Sequence, residues 1–224
     1  MADFFDLEGP SFGPLSGGEA RDLVILLHGW GADGNDLIGL APHWARALPH
    51  AEFLSPHGPF PCDTGFGRQW FGLADRSPER ILAGVRAVAP IVDSFINIEL
   101  TKRGLDDARL ALVGFSQGTM TALHVALRRP KPCAGVLGYS GRLIGEEVLA
   151  DEIESRPPVL LIHGNADQVL PIQSMHHARD RLEALGIAVE AHERPGLGHG
   201  IDEFGLAAGM RFLVRVLGEQ SPHI

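Results

Sequence analysis

The pentapeptide Gly114-Phe115-Ser116-Gln117-Gly118 most narrows what this chain can become. An apolar run, Arg109-Leu110-Ala111-Leu112-Val113, precedes it and reads as a buried strand. Met120, Leu123 and Leu127 follow at helical spacing, i, i+3 and i+7. Strand, G-x-S-x-G and helix together describe a sharp elbow that presents a serine at a helix N-terminus. The turn is tight, so the positions two before and two after the serine must be small, and both are Gly. Free N–H groups and the positive end of the helix dipole there favour developing negative charge. In a chain with 28 glycines such a pattern also arises by chance, so the surrounding elements have to support it.

They alternate. Leu23-Val24-Ile25-Leu26-Leu27 is a continuous apolar run of the kind buried on both faces of a parallel sheet. A helix is expected over 35–48, with Leu37, Leu40, Trp44 and Ala47 near one face, then a short strand at Ala51-Glu52-Phe53-Leu54. Residues 1–20 carry only a weak strand signal around Phe4 to Leu7. Ser77 offers an N-cap and Pro78 an N1 residue for a helix carrying Ile81, Val85, Val88, Val92 and Phe95, ending near Gly104. Pro90 is expected to kink or split it. After the elbow come strands at 133–138, 159–164 and 187–191, a helix from about Ile172 to Leu185, and a last helix from about Asp202 to Leu217. The order implies a mostly parallel sheet with helices on both faces, an α/β fold in one domain over residues 1–224. Residues 139–158 are too few for a cap domain, and 141–157 read as a short polar link.

Composition removes several functions. At 224 residues, 45% apolar and 21% charged, the chain suits a soluble globular protein. A net charge of −9 without a Lys/Arg cluster argues against nucleic acid and against anionic membranes. No signal peptide or membrane-length apolar run is evident, so no stable membrane insertion is expected and cytoplasmic residence is the default. Cys62 and Cys133 are too few for a disulfide framework. Eleven histidines raise the question of a metal, but no H-E-x-x-H or paired-cysteine spacing accompanies them.

On an open α/β sheet, reactive residues gather at the carboxyl ends of strands. A serine nucleophile needs an acid and a histidine there, in the chain order Ser, acid, His. Asp167 lies just past the strand ending His163-Gly164. Its bland role is to cap the next helix, and nearby Asn165 cannot supply the charge that stabilises an imidazolium. His199, in the loop Gly198-His199-Gly200, is the candidate base, with His192 as competitor. Two backbone N–H groups must face the developing oxyanion. Gln117 supplies one, and Trp30, in His28-Gly29-Trp30-Gly31-Ala32-Asp33-Gly34, the other. The long loop 55–76 has little regular pattern and much Pro, Gly and aromatic character, which usually signals function. Trp70, Phe71 and Leu73 from it, with Val169 and Leu170, are the candidate substrate groove. Alternatively, the aromatics only anchor the loop. Cys62 in the same loop is either a modifiable thiol or a small loop hydrophobe.

These residues resemble the carboxylesterase/phospholipase family of α/β-hydrolases that includes the acyl-protein thioesterases. The resemblance rests on Leu27-His28-Gly29-Trp30-Gly31-Ala32-Asp33-Gly34, Gly-Phe-Ser-Gln-Gly at 114–118, His163-Gly164-Asn165-Ala166-Asp167-Gln168-Val169-Leu170-Pro171, Gly198-His199-Gly200 and Gln69-Trp70-Phe71. It spans about residues 20–217. It implies the α/β-hydrolase fold, Ser116, Asp167 and His199 as a triad, Trp30 and Gln117 as oxyanion donors, no cofactor, a small-molecule ester substrate and a possible homodimer. The chain departs from the eukaryotic thioesterases, which often carry Leu at position 30, and its 55–76 loop looks more like the bacterial carboxylesterases. Expected substrates are short- to medium-chain carboxylic esters or thioesters, with lysophospholipids or acylated proteins as alternatives and a non-catalytic binding protein as the remote one. A dehalogenase would need a carboxylate at position 116, and a dienelactone hydrolase usually has Cys there.

Overall fold

The computed structural model describes residues 7–218. Its centre is a seven-stranded sheet of β1 (Ser11–Phe12), β2 (Asp22–Leu27), β3 (Ala51–Leu54), β6 (Leu110–Phe115), β7 (Gly135–Tyr139), β8 (Val159–Gly164) and β9 (Val189–Arg194). Their spatial order is β1-β3-β2-β6-β7-β8-β9. All neighbours are parallel except β1, which pairs antiparallel with β3. The chain steps outward from β2 to β3, then returns across β2 to lay down β6 on its other side. The strand order therefore reverses between β2 and β6. A crevice opens outside the carboxyl ends of the strands at such a point.

Strands buried on both faces need apolar side chains at every position, and β2 shows how these sort. Leu23, Ile25 and Leu27 enter one core with α3 (Pro78–Arg103), α4 (Gln117–Ala126) and α6 (Gln173–Ala184). Val24 and Leu26 enter the other, with Trp44, Phe53, Phe212 and Leu213. Here α1 (Gly34–Leu37), α2 (Ala41–Ala45) and α7 (Glu203–Leu217) cover the sheet. Tyr139, at the end of β7, is fully buried and donates its hydroxyl to the Gly205 carbonyl of α7 at 2.9 Å. This fixes α7, and with it the loop that precedes it.

Several expectations need correction. The helix over 35–48 is two short helices joined by a 3-10 turn at Ile38–Leu40, because Gly39 lowers helix propensity and Pro42 restarts the helix at α2. Leu37, Trp44 and Leu48 face inward, Leu40 is half-buried and Ala47 is exposed. Pro90 does not split α3, which runs unbroken from Pro78 to Arg103. The burial of Val85, Val88, Val92 and Ile96 around it outweighs one missing hydrogen bond. By length and composition α3 is long and apolar enough to cross a bilayer; about a third of that stretch is buried, Val85, Val88, Val92 and Ile96 among it. The link 141–157 contains α5 (Glu146–Glu152), missed because only Leu149 within it is buried. The last strand starts at Val189 and continues to Arg194. The loop 55–76 holds a two-stranded hairpin, β4 (Phe60–Pro61) and β5 (Arg68–Gln69). The weak strand signal at Phe4 to Leu7 falls almost wholly outside the described residues.

Tyr139→Phe should leave the Gly205 carbonyl without its buried donor and lower stability by about 1–3 kcal/mol. Equilibrium urea unfolding measures this, and an unchanged midpoint would show that the hydroxyl contributes nothing net.

Candidate active site

At the end of β6, Ser116 adopts φ 53° and ψ −113°, a conformation that L-residues rarely occupy. Such strain costs on the order of 1–3 kcal/mol and persists only where the surroundings impose it. Here they do. A Cβ on Gly118 would lie 1.8 Å from the Leu27 carbonyl oxygen, and one on Gly114 would lie 2.4 Å from Thr119 N. The chain can thus press α4 against the end of β2 only because both positions are glycine. Ser116 N–H donates to Tyr139 O at 2.9 Å, and the Thr119 hydroxyl shares its one proton between the carbonyls of Gly114 and Tyr139, 2.7 and 2.8 Å away, which locks the turn.

The loops after β8 and β9 form one unit. Asp167 Oδ2 accepts from His199 Nδ1 at 2.7 Å, which fixes the proton on that nitrogen and leaves Nε2 as the basic atom. Asp167 Oδ1 accepts the N–H groups of Val169 and Leu170 at 2.8 and 2.9 Å. Its carboxylate also lies 3.1 Å from Nε2 of the buried His163. Burial pushes the Asp167 pKa upward, but the His199 bond and the two amides outweigh it and hold the group below the usual carboxylate range. Asn165 staples the loops: it donates to Glu193 Oε1 at 3.0 Å and accepts from Gly196 N at 2.8 Å. Ala166 N–H adds a bond to Leu197 O at 3.0 Å. The His199 ring packs against Phe115, the residue before the serine, with centroids 5.0 Å apart. The competitor His192 is instead held by Glu190 at 2.8 Å and lies edge-on to Phe204.

Across the switch point, the loop after β2 turns beside the elbow. A Cβ on Gly29 would stand 3.6 Å from Ser116 Cβ, so the Gly29–Trp30 peptide borders the serine. Gln117 is the first residue of α4, where helix geometry leaves its N–H without an intrahelical acceptor. Sequence reasoning missed the role of its side chain. Gln117 Oε1 accepts from Trp70 N at 2.9 Å and Nε2 donates to Phe71 O at 2.7 Å, clamping the long loop to the elbow. His28 was missed too. Its Nδ1 donates to Gly29 O at 2.7 Å and Nε2 accepts from Gly58 N at 2.8 Å. Burial lowers its pKa, so the ring is neutral with both nitrogens satisfied. Its signal in the sequence is a histidine directly after an unbroken apolar strand, β2, which ends at Leu27.

The proposed groove residues divide. Trp70 and Phe71 are 0% and 2% exposed and belong to the core. The Trp70 indole donates to His28 O at 2.9 Å, and Phe71 sits against Gly84 of α3. Both anchor the loop and offer no surface to a ligand. Leu73 and Leu170 are half-buried, and Val169 is 63% exposed. Cys62, directly after β4 in the hairpin, is buried, with Thr64 Oγ1 donating to its Sγ at 3.2 Å. Among the described residues no group of three or more His, Cys, Asp or Glu side chains is arranged to hold a metal.

Comparison with known proteins places this geometry. Residues 16–217 match the family model described as Phospholipase/Carboxylesterase. Esterase YpfH of Escherichia coli (strain K12) is 29% identical over 184 residues, covering 82% of this chain and 78% of the relative. Acyl-protein thioesterase 1 of Neurospora crassa is 28% identical over 194 residues, covering 79% of each. The crystal structure of esterase PE8 superposes with a TM-score of 0.91 at 40% identity, covering 95% of this chain and 100% of that one. The chain is therefore a member of the phospholipase/carboxylesterase family of α/β-hydrolases, a hydrolase that acts on esters.

Proposed function

We propose that the protein hydrolyses short- to medium-chain carboxylic esters and thioesters through a Ser116-His199-Asp167 triad and an acyl-enzyme. The observation that carries this reading is the 2.7 Å Asp167–His199 bond, set on loops that bring the imidazole against Phe115 beside the strained Ser116 elbow. Ser116 Oγ attacks the carbonyl as His199 Nε2 takes its proton, and Asp167 stabilises the imidazolium. The N–H groups of Trp30 and Gln117 receive the oxyanion, each such donor being worth about 3–4 kcal/mol. His199 then protonates the departing alcohol or thiol. Water, deprotonated by the same imidazole, releases the acid and restores Ser116. Leu73, Leu170 and Val169 line the acyl side. The two unpaired, buried cysteines support a reducing, cytoplasmic setting.

The thioesterase relative supports a second reading, in which the natural acyl donor is a thioester carried by a larger molecule. Turnover of matched p-nitrophenyl esters, small acyl thioesters, lysophospholipids and an S-acylated protein separates the two. A lysophospholipid or acylated-protein preference of more than about tenfold in kcat/KM would displace the small-ester reading.

Ser116→Ala should reduce ester turnover by at least about 10³-fold and leave the fold intact. Loss of fluorophosphonate labelling would accompany it. A purified variant that still turned over near the parental rate would sink the assignment. Asp167 adds a pH signature. Its folded pKa lies below the unfolded value, so its contribution is complete above the ordinary carboxylate pKa and is lost as pH falls through the lowered folded value. Stability should therefore drop below about pH 4 in the parent and drop less in Asp167→Asn. Urea unfolding at neutral pH and about pH 3 measures the difference, and equal losses in the two proteins would dismiss it.

A further inference from the structure

The residue proposed as the outer oxyanion donor, Trp30, sits between two glycines, with Gly31 at φ 84°. Past it the backbone is pinned: Gly31 N–H donates to Arg68 O at 3.0 Å, and Arg68 N–H to Ala32 O at 2.7 Å. The peptide whose N–H must face the oxyanion is the preceding one, and its carbonyl is held from behind, Gly29 O accepting from His28 Nδ1 at 2.7 Å and from Ala32 N–H at 3.2 Å. The Trp30 side chain adds a second hold, through its indole. Trp30 Nε1 donates to Gln69 Oε1 at 2.8 Å, and Gln69 Nε2 donates to Asp63 Oδ1 at 2.9 Å. Asp63 Oδ2 accepts the N–H groups of Leu73 and Ala74 at 2.8 and 3.2 Å, while Asp63 N–H returns to Gln69 Oε1 at 3.1 Å.

This chain of bonds has one possible polarity. An indole N–H only donates and a carboxylate only accepts, so the buried amide between them has a single orientation. Reversing Gln69 would set its NH₂ against the indole N–H and its oxygen against the carboxylate. The Gln69 bond, then the Leu73 amide, hold the Asp63 pKa below the usual carboxylate range, so the acceptor end stays charged in mild acid. The far end is Leu73, on the side assigned to the acyl group.

We propose that Gln69 and Asp63 are positioning residues for acyl transfer: they hold the Trp30 indole, and through it the Trp30 N–H, at the oxyanion, and tie that donor to the Leu73–Ala74 rim. This rests on the Ser116 reading above. An oxyanion donor works only within about 2.7–3.1 Å of the developing charge, so a loosened Trp30 loses rate before it loses substrate.

Trp30→Phe removes the N–H and keeps a ring, and Gln69→Met keeps length without polarity. Each should lower kcat for p-nitrophenyl butyrate by about tenfold, a fraction of the roughly 10²–10³ typical for deleting a donor, with KM within about twofold. Inhibition by an alkyl boronic acid, whose serine adduct carries a tetrahedral oxyanion, should weaken by a similar factor. Because the effect passes through one bond, the double variant should be no slower than the slower single. Asp63→Asn, at an exposed position, gives the same test without disturbing the core and should also reduce kcat. Parental kcat in Trp30→Phe, losses that multiply in the double variant, or a change confined to KM would overturn the proposal. If Ser116→Ala is inactive while these variants turn over normally, only the positioning role fails. If Ser116→Ala remains active, the triad itself fails.

Discussion

The carbonyl oxygen of Leu27 occupies the place where a side chain on residue 118 would begin, 1.8 Å from a Cβ built there. That approach of α4 to the end of β2 joins the two halves of the molecule. It lets the strand order reverse between β2 and β6 without a gap, and it brings the loop after β2 beside Ser116. It also forces the turn between β6 and α4 into the positive-φ conformation found at Ser116. The strain at the serine and the bare glycines around it are one constraint, since relaxing the turn would need room that the Leu27 carbonyl denies.

Around this joint two buried polar side chains bind backbone at both ends. Gln117 turns both ends of its amide to the backbone of Trp70 and Phe71, and His28 turns both nitrogens to Gly29 and Gly58. Each is a buried group whose unmet hydrogen bonds would be costly, so each fixes its neighbours strongly. The long loop, which has almost no regular structure, is ordered in this way. The aromatic pair Trp70 and Phe71 supplies apolar area, and these amide and imidazole bonds supply register.

Much of this was legible in the sequence. Strands buried on both faces announce themselves as unbroken apolar runs, so their ends, and the residues just beyond, could be found. Asp167 and His199 were chosen as candidates in that way and Ser116 from its elbow motif, and the structure brings Asp167 and His199 into contact. The capping role open to Asp167 is not taken up, since α6 begins at Gln173 behind Ile172. Oδ1 holds the turn through Val169 and Leu170, and Oδ2 meets His199. Other features were not legible. Hydrophobicity does not carry direction, so Trp70 and Phe71 read as groove when they point into the core. The clamp by Gln117 and the pairing of Trp30 with Gln69 join residues about forty positions apart or more, which no local pattern encodes. Pro90 failed as a breaker because its neighbours' burial outweighs a single lost bond, whereas the weaker helix over 35–48 did break.

Asn165 and the Leu197 carbonyl cross-bond the turns after β8 and β9, and β9 is the last strand of the sheet. Asp167 and His199 therefore sit towards the sheet's margin, on the loops after β8 and β9, while Ser116 is fixed at its middle. Sheet margins open at lower free energy than centres. A brief loosening of β9 from β8 would part His199 from Asp167 and leave the elbow formed. The proposed triad thus depends on the hold of one edge strand as well as on the core.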